Sequence, residues 1–262
     1  MAKKIVITSG KGGVGKTTLA SNLASILGNA GRRTCVLDAD FGLNNLDVSA
    51  GVENLVVYDV FDCITGKCRV KQALIQMPSS KNAYVLPSVS NINDNFITYA
   101  DLQEIIKSVE DSFEYVLIDC PAGIGDGFST AVSLADEAIV ITTPSLSSLR
   151  DADKVLSKLK NYDLKDVSLI INRVRGDLIL DGVMLSPYEI INALKVKLLG
   201  VIPEDDKILL SGAGYIPKTS DSGKAFKMIA QNLISGKEKI FNYEKKYSGI
   251  IGKIKRSIKK IV

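Results

Sequence analysis

The stretch Lys4-Ile5-Val6-Ile7-Thr8-Ser9-Gly10-Lys11-Gly12-Gly13-Val14-Gly15-Lys16-Thr17-Thr18 decides the fold. An apolar β-type run breaks into a glycine-rich turn, and a helix-forming segment follows. Gly10 to Thr17 satisfies G-x-x-x-x-G-K-T, the phosphate-loop pattern, in the strand–loop–helix setting that the pattern requires. Gly10, Gly12, Gly13 and Gly15 let the backbone take left-handed or crowded angles. The N–H groups along the loop, through Val14 and on to Thr18, then converge on phosphate oxygens. A helix beginning near Gly15 adds the positive end of its dipole. In this reading Lys16 neutralises the outer phosphates and the Thr17 hydroxyl holds Mg²⁺. The plainer reading is a glycine-rich turn with a chance lysine, and it leaves the strand–loop–helix coincidence unexplained.

Composition narrows the chemistry. With 262 residues, 46% of them hydrophobic, the chain can bury a sizeable core and is expected to form one large α/β domain. Histidine is absent, which removes His-based acid–base chemistry, His triads and most zinc sites. Phosphoryl transfer survives, because it depends on positioning, Mg²⁺ and lysine. Cys35, Cys63, Cys68 and Cys120 form no C-x-x-C pair, so they read as small apolar residues in a reducing cytoplasm. The N-terminus does not read as a signal peptide, and no apolar run reaches the ~20 residues of a membrane span. Residues 237–262 hold nine Lys/Arg and two Asp/Glu, a net of +7 against +4 for the whole chain, so the first 236 carry −3. A basic tail on a mildly acidic body argues against DNA binding spread over the domain.

Outward from the loop, short apolar runs alternate with amphipathic segments. The runs are Lys4–Thr8, Thr34–Asp38, Tyr84–Leu86, Tyr115–Asp119, Ala138–Thr143, Val167–Ile171 and Leu198–Ile202. Helical patterns cover Thr17–Asn29, Asp101–Val109, Ser147–Leu159 and Ser186–Leu194. This order predicts a doubly wound, mostly parallel sheet with ligands at the carboxyl ends of its strands. Two of those ends carry acids. Strand alternation would point Asp38 and Asp40 to the same side, where one carboxylate could order Mg²⁺ and the other the attacking water. Tyr115–Asp119 reads as a Walker B strand placing Asp119 by a metal-bound water, although Asp-Cys-Pro also reads as a cap before a turn. Asn172-Arg173 and Pro203-Glu204-Asp205 fall at the same edge. An amide can pair with adenine and an arginine plane can stack on it, but both segments also pass as ordinary loops.

Lys11 gives the loop the form Lys-Gly-Gly-Val-Gly-Lys-Thr-Thr, which resembles the deviant Walker A ATPases, the ParA/MinD family. The matching segments are Asp38–Asp47, Val56–Asp59, Asp119–Ile124, Ser147–Asp151 and Gly200–Asp205, and they are most similar to the MinD branch. The resemblance implies a SIMIBI-type P-loop NTPase fold and ATP hydrolysis with Mg²⁺. It also implies a homodimer formed on ATP that positions the bacterial division site from the inner face of the membrane. Lys11 would reach the partner subunit's phosphates and join Lys16 and Asp40 as the catalytic set. Thr17, Asp38 and Asp119 would serve the metal. Asn172, Arg173, Pro203, Glu204 and Asp205 would surround the base. Arg150, Asp151 and Asp153 would lie beside the dimer interface and help recognise a MinC-type division inhibitor and a MinE-type or other topological factor, with Asp151 paired to Lys11. By itself that segment reads as a capped helix start at Ser147 with acids in its first turn. A flagellar-number ATPase of the FlhG type and a DNA-partitioning ATPase of the ParA type remain the alternatives. No specific nucleic acid is expected.

The composition break near Ser235-Gly236 divides an ATPase domain, 1–236, from a basic linker and terminal helix, 237–262. On a helix, Tyr247, Ile250, Ile251, Ile254, Ile258, Ile261 and Val262 fall within an arc of about 120°, with the lysines and Arg256 opposite. That is the pattern of a membrane-targeting helix lying in the headgroup plane. The competing reading is a terminal helix docked on its own domain or on a partner. Relative to the MinD pattern the stripe lacks phenylalanine and leucine, and Gly249 and Gly252 each cost about 1 kcal/mol of helix propensity.

Overall fold

Residues on β1 (Lys3–Thr8) alternate between two cores: Ile5 and Ile7 face one side of the sheet and Val6 the other, all fully buried. The same two-sided burial repeats along β2 (Thr34–Asp38), β5 (Tyr115–Asp119) and β6 (Glu137–Thr142), which is why these runs read as continuously apolar. The computed structural model describes residues 1–41, 45–88, 97–210, 216–217, 219–249 and 252. Its sheet is completed by β3 (Ile75–Gln76), β4 (Ala83–Leu86), β7 (Asp166–Val174) and β8 (Lys197–Pro203). The eight strands run in the order β3-β4-β2-β5-β1-β6-β7-β8. All pairings are parallel except β3 on β4, a two-residue edge strand that the sequence patterning did not announce.

Helices cover both faces. The described helices are α1 (Lys16–Asn29), α2 (Leu46–Ala50), α3 (Val60–Ile64), α4 (Val70–Ala73), α5 (Tyr99–Val109), α6 (Asp126–Ser133), α7 (Leu146–Leu159), α8 (Gly176–Leu180), α9 (Pro187–Leu194), α10 (Asp206–Leu210) and α11 (Asp221–Ser235). Leu19, Leu23 and Leu27 of α1 share one core with Phe226 and Ile229 of α11. Leu102 and Ile106 of α5, Phe128 of α6 and Val155 of α7 share the other. Each such side chain, fully buried, stabilises the fold by about 1.5–3 kcal/mol. Among the described residues no helix is long and apolar enough to cross a membrane.

One local expectation is corrected. The cap of α7 is Ser145, which accepts from the Ser148 amide at 3.3 Å, and the first turn holds no acid; Ser147 is already helical. At the composition break Ser235-Gly236, α11 ends with Gly236 at φ +66°, and the residues that follow lie against the body. The Asn232 amide donates to the Lys239 carbonyl at 2.9 Å and accepts from its N–H at 3.1 Å, while Ile240, Phe241 and Tyr243 pack on the cores. Ile250, Ile251, Ile254, Ile258 and Ile261 lie outside the described residues, as do Gly42, Leu43 and Asn44.

Candidate functional site

The loop between β1 and α1 has the shape its glycines predict. Gly15 caps α1 at φ +103°, and Gly13 sits at φ +75°. A Cβ on Gly15 would meet the Asn172 amide nitrogen at 2.6 Å, and one on Gly10 would strike the Asp151 carbonyl. Nothing lies within 4 Å of the Cβ positions of Gly12 and Gly13, so the middle of the loop is open. The loop is tied down at three points. Ser9 Oγ donates to the Lys11 carbonyl at 2.8 Å, the Gly123 amide donates to the Ser9 carbonyl at 3.0 Å, and Asn172 Nδ2 donates to the Val14 carbonyl at 2.8 Å. No side chain caps α1, so its first N–H groups are left for an anion at the positive end of the dipole. Lys16 is buried and lowers the pKa of Asp119, which places its charge beside that acid; Thr18 is half-buried at the same helix start.

Parallel register sets Asp38 of β2 directly beside Asp119 of β5. Asp38 is 1% exposed and accepts from the Asp40 amide at 3.0 Å and from Ser88 Oγ at 2.8 Å. Burial, then the neighbouring Asp119 charge, pushes its pKa up to about 8. Burial raises Asp119 to about 6 against the opposing pull of the Thr17 hydroxyl and of Lys16. Asp119 Oδ1 has no hydrogen-bond partner among the described residues. Two adjoining buried carboxylates, one with an orphaned oxygen and a threonine hydroxyl beside it, are the hard oxygen donors that a divalent cation takes. The site fits Mg²⁺.

Asp40 lies just beyond the strand. β2 ends at Asp38, and the chain turns there, with the Asp40 amide bonded back to the Asp38 carboxylate. Asp40 is half-buried and close enough to raise the pKa of both acids. Asp119 ends a strand and caps no helix. Cys120 beside it is fully buried, and burial pushes its thiol up to about 12.

The two segments expected around a base do converge. Gly15, Thr18, Asn172, Arg173, Pro203, Glu204 and Asp205 line one cleft of about 160 Å³ next to the loop. Asn172 and Arg173 lie within β7, where a register shift and Arg173 at φ +57° turn the strand's end. The Glu204 amide donates to the Val174 carbonyl at 3.0 Å, which joins the two segments. Asp205 is already engaged: burial would raise its pKa, but bonds from Ser222 Oγ at 2.7 Å and the Lys207 amide at 3.2 Å outweigh it and hold it low. The Asp205 carboxylate is therefore taken up within the fold.

On α7, Arg150 and Asp153 are exposed and Asp151 is half-buried. Asp151 pairs with Lys154 at 3.3 Å and not with Lys11, which is exposed and has no ion pair among the described residues. What joins the two segments is the close approach of Gly10 to the Asp151 backbone. Sequence reading missed Ser88 altogether. It follows β4 as a lone serine, and only the pairing of β4 with β2 brings it to Asp38.

A family model described as an AAA domain matches residues 2–170. The septum site-determining protein MinD of Synechocystis sp. is 38% identical over 98% of this chain and 99% of its own length. The chain belongs to the MinD family. Among solved structures, the MinC:MinD cell division protein complex of Aquifex aeolicus is similar, with TM-score 0.83 and 35% identity over 90% of this chain and 96% of that one. The MinD of Pyrococcus horikoshii OT3, complexed with Mg-ADP, is similar at TM-score 0.79 and 32% identity, covering 90% of this chain and 97% of that one. The AAA match ends before Asn172, so Asn172, Arg173 and Pro203–Asp205 fall only within the longer similarities.

Proposed function

We propose that this MinD-family ATPase is a membrane-associated switch that positions the division site by dimerising on ATP. The observation that carries the nucleotide chemistry is the buried Asp38–Asp119 pair set against Lys16 and Thr17 at the foot of an open glycine loop. The loop amides from Gly10 to Thr18 cradle the phosphates, and Lys16 neutralises the outer ones. Thr17, Asp38 and Asp119 hold Mg²⁺, directly or through water. The cation's contribution is to neutralise charge on the phosphate oxygens. A relative of known structure binds Mg-ADP, in keeping with this assignment. Asp40 orients the attacking water, Asn172 and Arg173 face the base, and Lys11 reaches the phosphates of the second subunit.

The fold similarity to a MinC:MinD complex supports a MinC-type inhibitor as partner, recruited by α7 through Arg150, Asp151 and Asp153. A MinE-type or other topological factor would use the same face. The terminal stripe of Ile250, Ile251, Ile254, Ile258 and Ile261 anchors the protein on the inner face of the cell membrane. Each tail offers a few kcal/mol of apolar burial and up to ~1 kcal/mol per basic residue on an anionic surface. Ordering a glycine-containing helix offsets much of this, so one tail binds reversibly. Two tails on an ATP dimer gain about 10²–10⁴ in avidity. The test is sedimentation with anionic liposomes. Recruitment is expected with ATP and not ADP, to weaken with salt, and to vanish in Ile254→Glu with ATP binding intact. Equal recruitment with ADP and ATP would remove the switch.

A further inference from the structure

The sequence spacing Cys63-x-x-x-x-Cys68 looks chemically silent, but the fold closes it. The two Sγ atoms lie 3.5 Å apart, with Cys63 in the last turn of α3 and Cys68 just before α4. The turn between them is wound tight by backbone bonds from Gly66 to the Cys63 carbonyl and from Lys67 and Cys68 to the Asp62 carbonyl. Asp59 fixes the other end of α3 with a capping box. Both sulfurs are half-buried and line an open cleft of about 520 Å³ with Arg69, Lys71, Asp101 and Glu104. Cys35 and Cys120, by contrast, are fully buried and lie apart from this cleft. Among the described residues no group of three or more His, Cys, Asp or Glu is set to hold a metal, so the pair falls short of a four-ligand zinc set.

We propose that Cys63 and Cys68 form a reversible dithiol–disulfide site that is oxidised by low-molecular-weight disulfides entering this cleft. Two thiols already in contact need only a small approach to reach the roughly 2 Å of a disulfide bond. The Cys68 thiolate attacks one sulfur of the small disulfide, and the other half leaves as a thiolate. Cys63 then loses its proton and attacks the Cys68 sulfur. The Cys63–Cys68 bond forms, the mixed disulfide breaks, and the second half leaves as a thiolate. The two cysteine protons go to the two leaving thiolates, so two protein thiols are oxidised and one small disulfide is reduced to two thiols. The order of attack has a physical basis. Burial first, then the hydrogen bond to Cys68, holds the Cys63 thiol up at about 12, which disfavours Cys63 as the first attacker. The first attack would cap Cys68 and remove that hydrogen bond.

The site is anchored to the nucleotide machinery. The Val60 amide of α3 donates to the Pro87 carbonyl at 3.0 Å, and the next residue, Ser88, holds Asp38. The experiment equilibrates the full-length reduced protein with glutathione buffers of graded ratio, followed by acid quench, alkylation and peptide mass mapping. A Cys63–Cys68 link without retained glutathione is expected, with Cys35 and Cys120 still reduced. At the same buffer ratio the linked fraction relative to the reduced should be at least tenfold higher in folded protein than in guanidinium, since the fold holds the sulfurs together. Cys63→Ser should stop at a glutathione adduct on Cys68. Free thiols at both positions, glutathione retained by the wild type, or equal closure in the unfolded chain would each overturn the proposal.

Discussion

Asp38 and Asp119 are acids whose protons burial favours, and this gives the protein a pH signature. Their folded-state pKa values of about 8 and about 6 lie above the ordinary 3.8. Below pH ~4 both the folded and the unfolded chain carry these protons, and the stability they contribute is complete. As pH rises the unfolded chain releases its protons first, so stability is lost progressively up to the folded pKa values. Ligand-free protein should therefore melt at a lower temperature at pH 8 than at pH 5.5, and Asp38→Asn should flatten that slope in calorimetry. Mg²⁺ with ADP should raise the melting temperature more at pH 8 than at pH 6, because a cation needs ionised carboxylates. Asp40 makes a separate prediction. Asp40→Ala should bind ATP with near-wild-type affinity and lose hydrolysis by at least tenfold, since the phosphate cradle does not depend on it. Hydrolysis at the wild-type rate would reassign the water-positioning role.

At the level of elements, the site is a junction of β1, α1 and β7 held by Gly15 and Asn172. Gly15→Ala puts a side chain at φ +103° and against an amide nitrogen 2.6 Å away. The left-handed angle alone costs about 1–2 kcal/mol, and displacing Asn172 adds to it. Loss of nucleotide binding and a lower denaturation midpoint are expected together. Asn172→Ala removes the bond to the Val14 carbonyl, worth about 1 kcal/mol, and should weaken nucleotide binding while the fold persists. Isothermal titration beside urea unfolding separates the two outcomes. A variant at residue 172 with unchanged nucleotide affinity would make the amide a strut of β7 only.

For the whole molecule the prediction concerns assembly. Lys11 is exposed, and Asp151 is taken up by Lys154, so the Lys11 charge is available to a second chain. In an Asp40→Ala background, Lys11→Ala should abolish ATP-dependent dimerisation in analytical ultracentrifugation and leave monomer nucleotide binding largely intact. Full dimerisation on ATP without Lys11 would sink the cross-subunit role. Gly10 lies against the Asp151 backbone, so the phosphate loop and α7 are in direct contact.

The sequence by itself determined the parts of this protein whose cause is local. Gly10 to Thr17 forms its loop because glycines and a following helix start need no distant help, and the Tyr115–Asp119 strand shows as an apolar run ending in an acid. The parallel sheet follows from alternating patterns, and even the α9 start at Ser186 is a capping box within four residues. The tertiary structure decided what depends on strand order. Ser88 reaches Asp38 across 50 residues because β4 lies beside β2, and no local pattern encodes that neighbour. Asp40 sits beyond the end of β2, where its amide bonds back to the Asp38 carboxylate. Asp205, open as a sequence, is occupied because α11 folds back to place Ser222 against it. The Cys63–Cys68 contact is made by the backbone bonds of the turn after α3, which the spacing alone does not show. Periodicity and turn chemistry are written residue by residue, whereas partners of buried polar groups are chosen by packing, which the chain reveals only when it has folded.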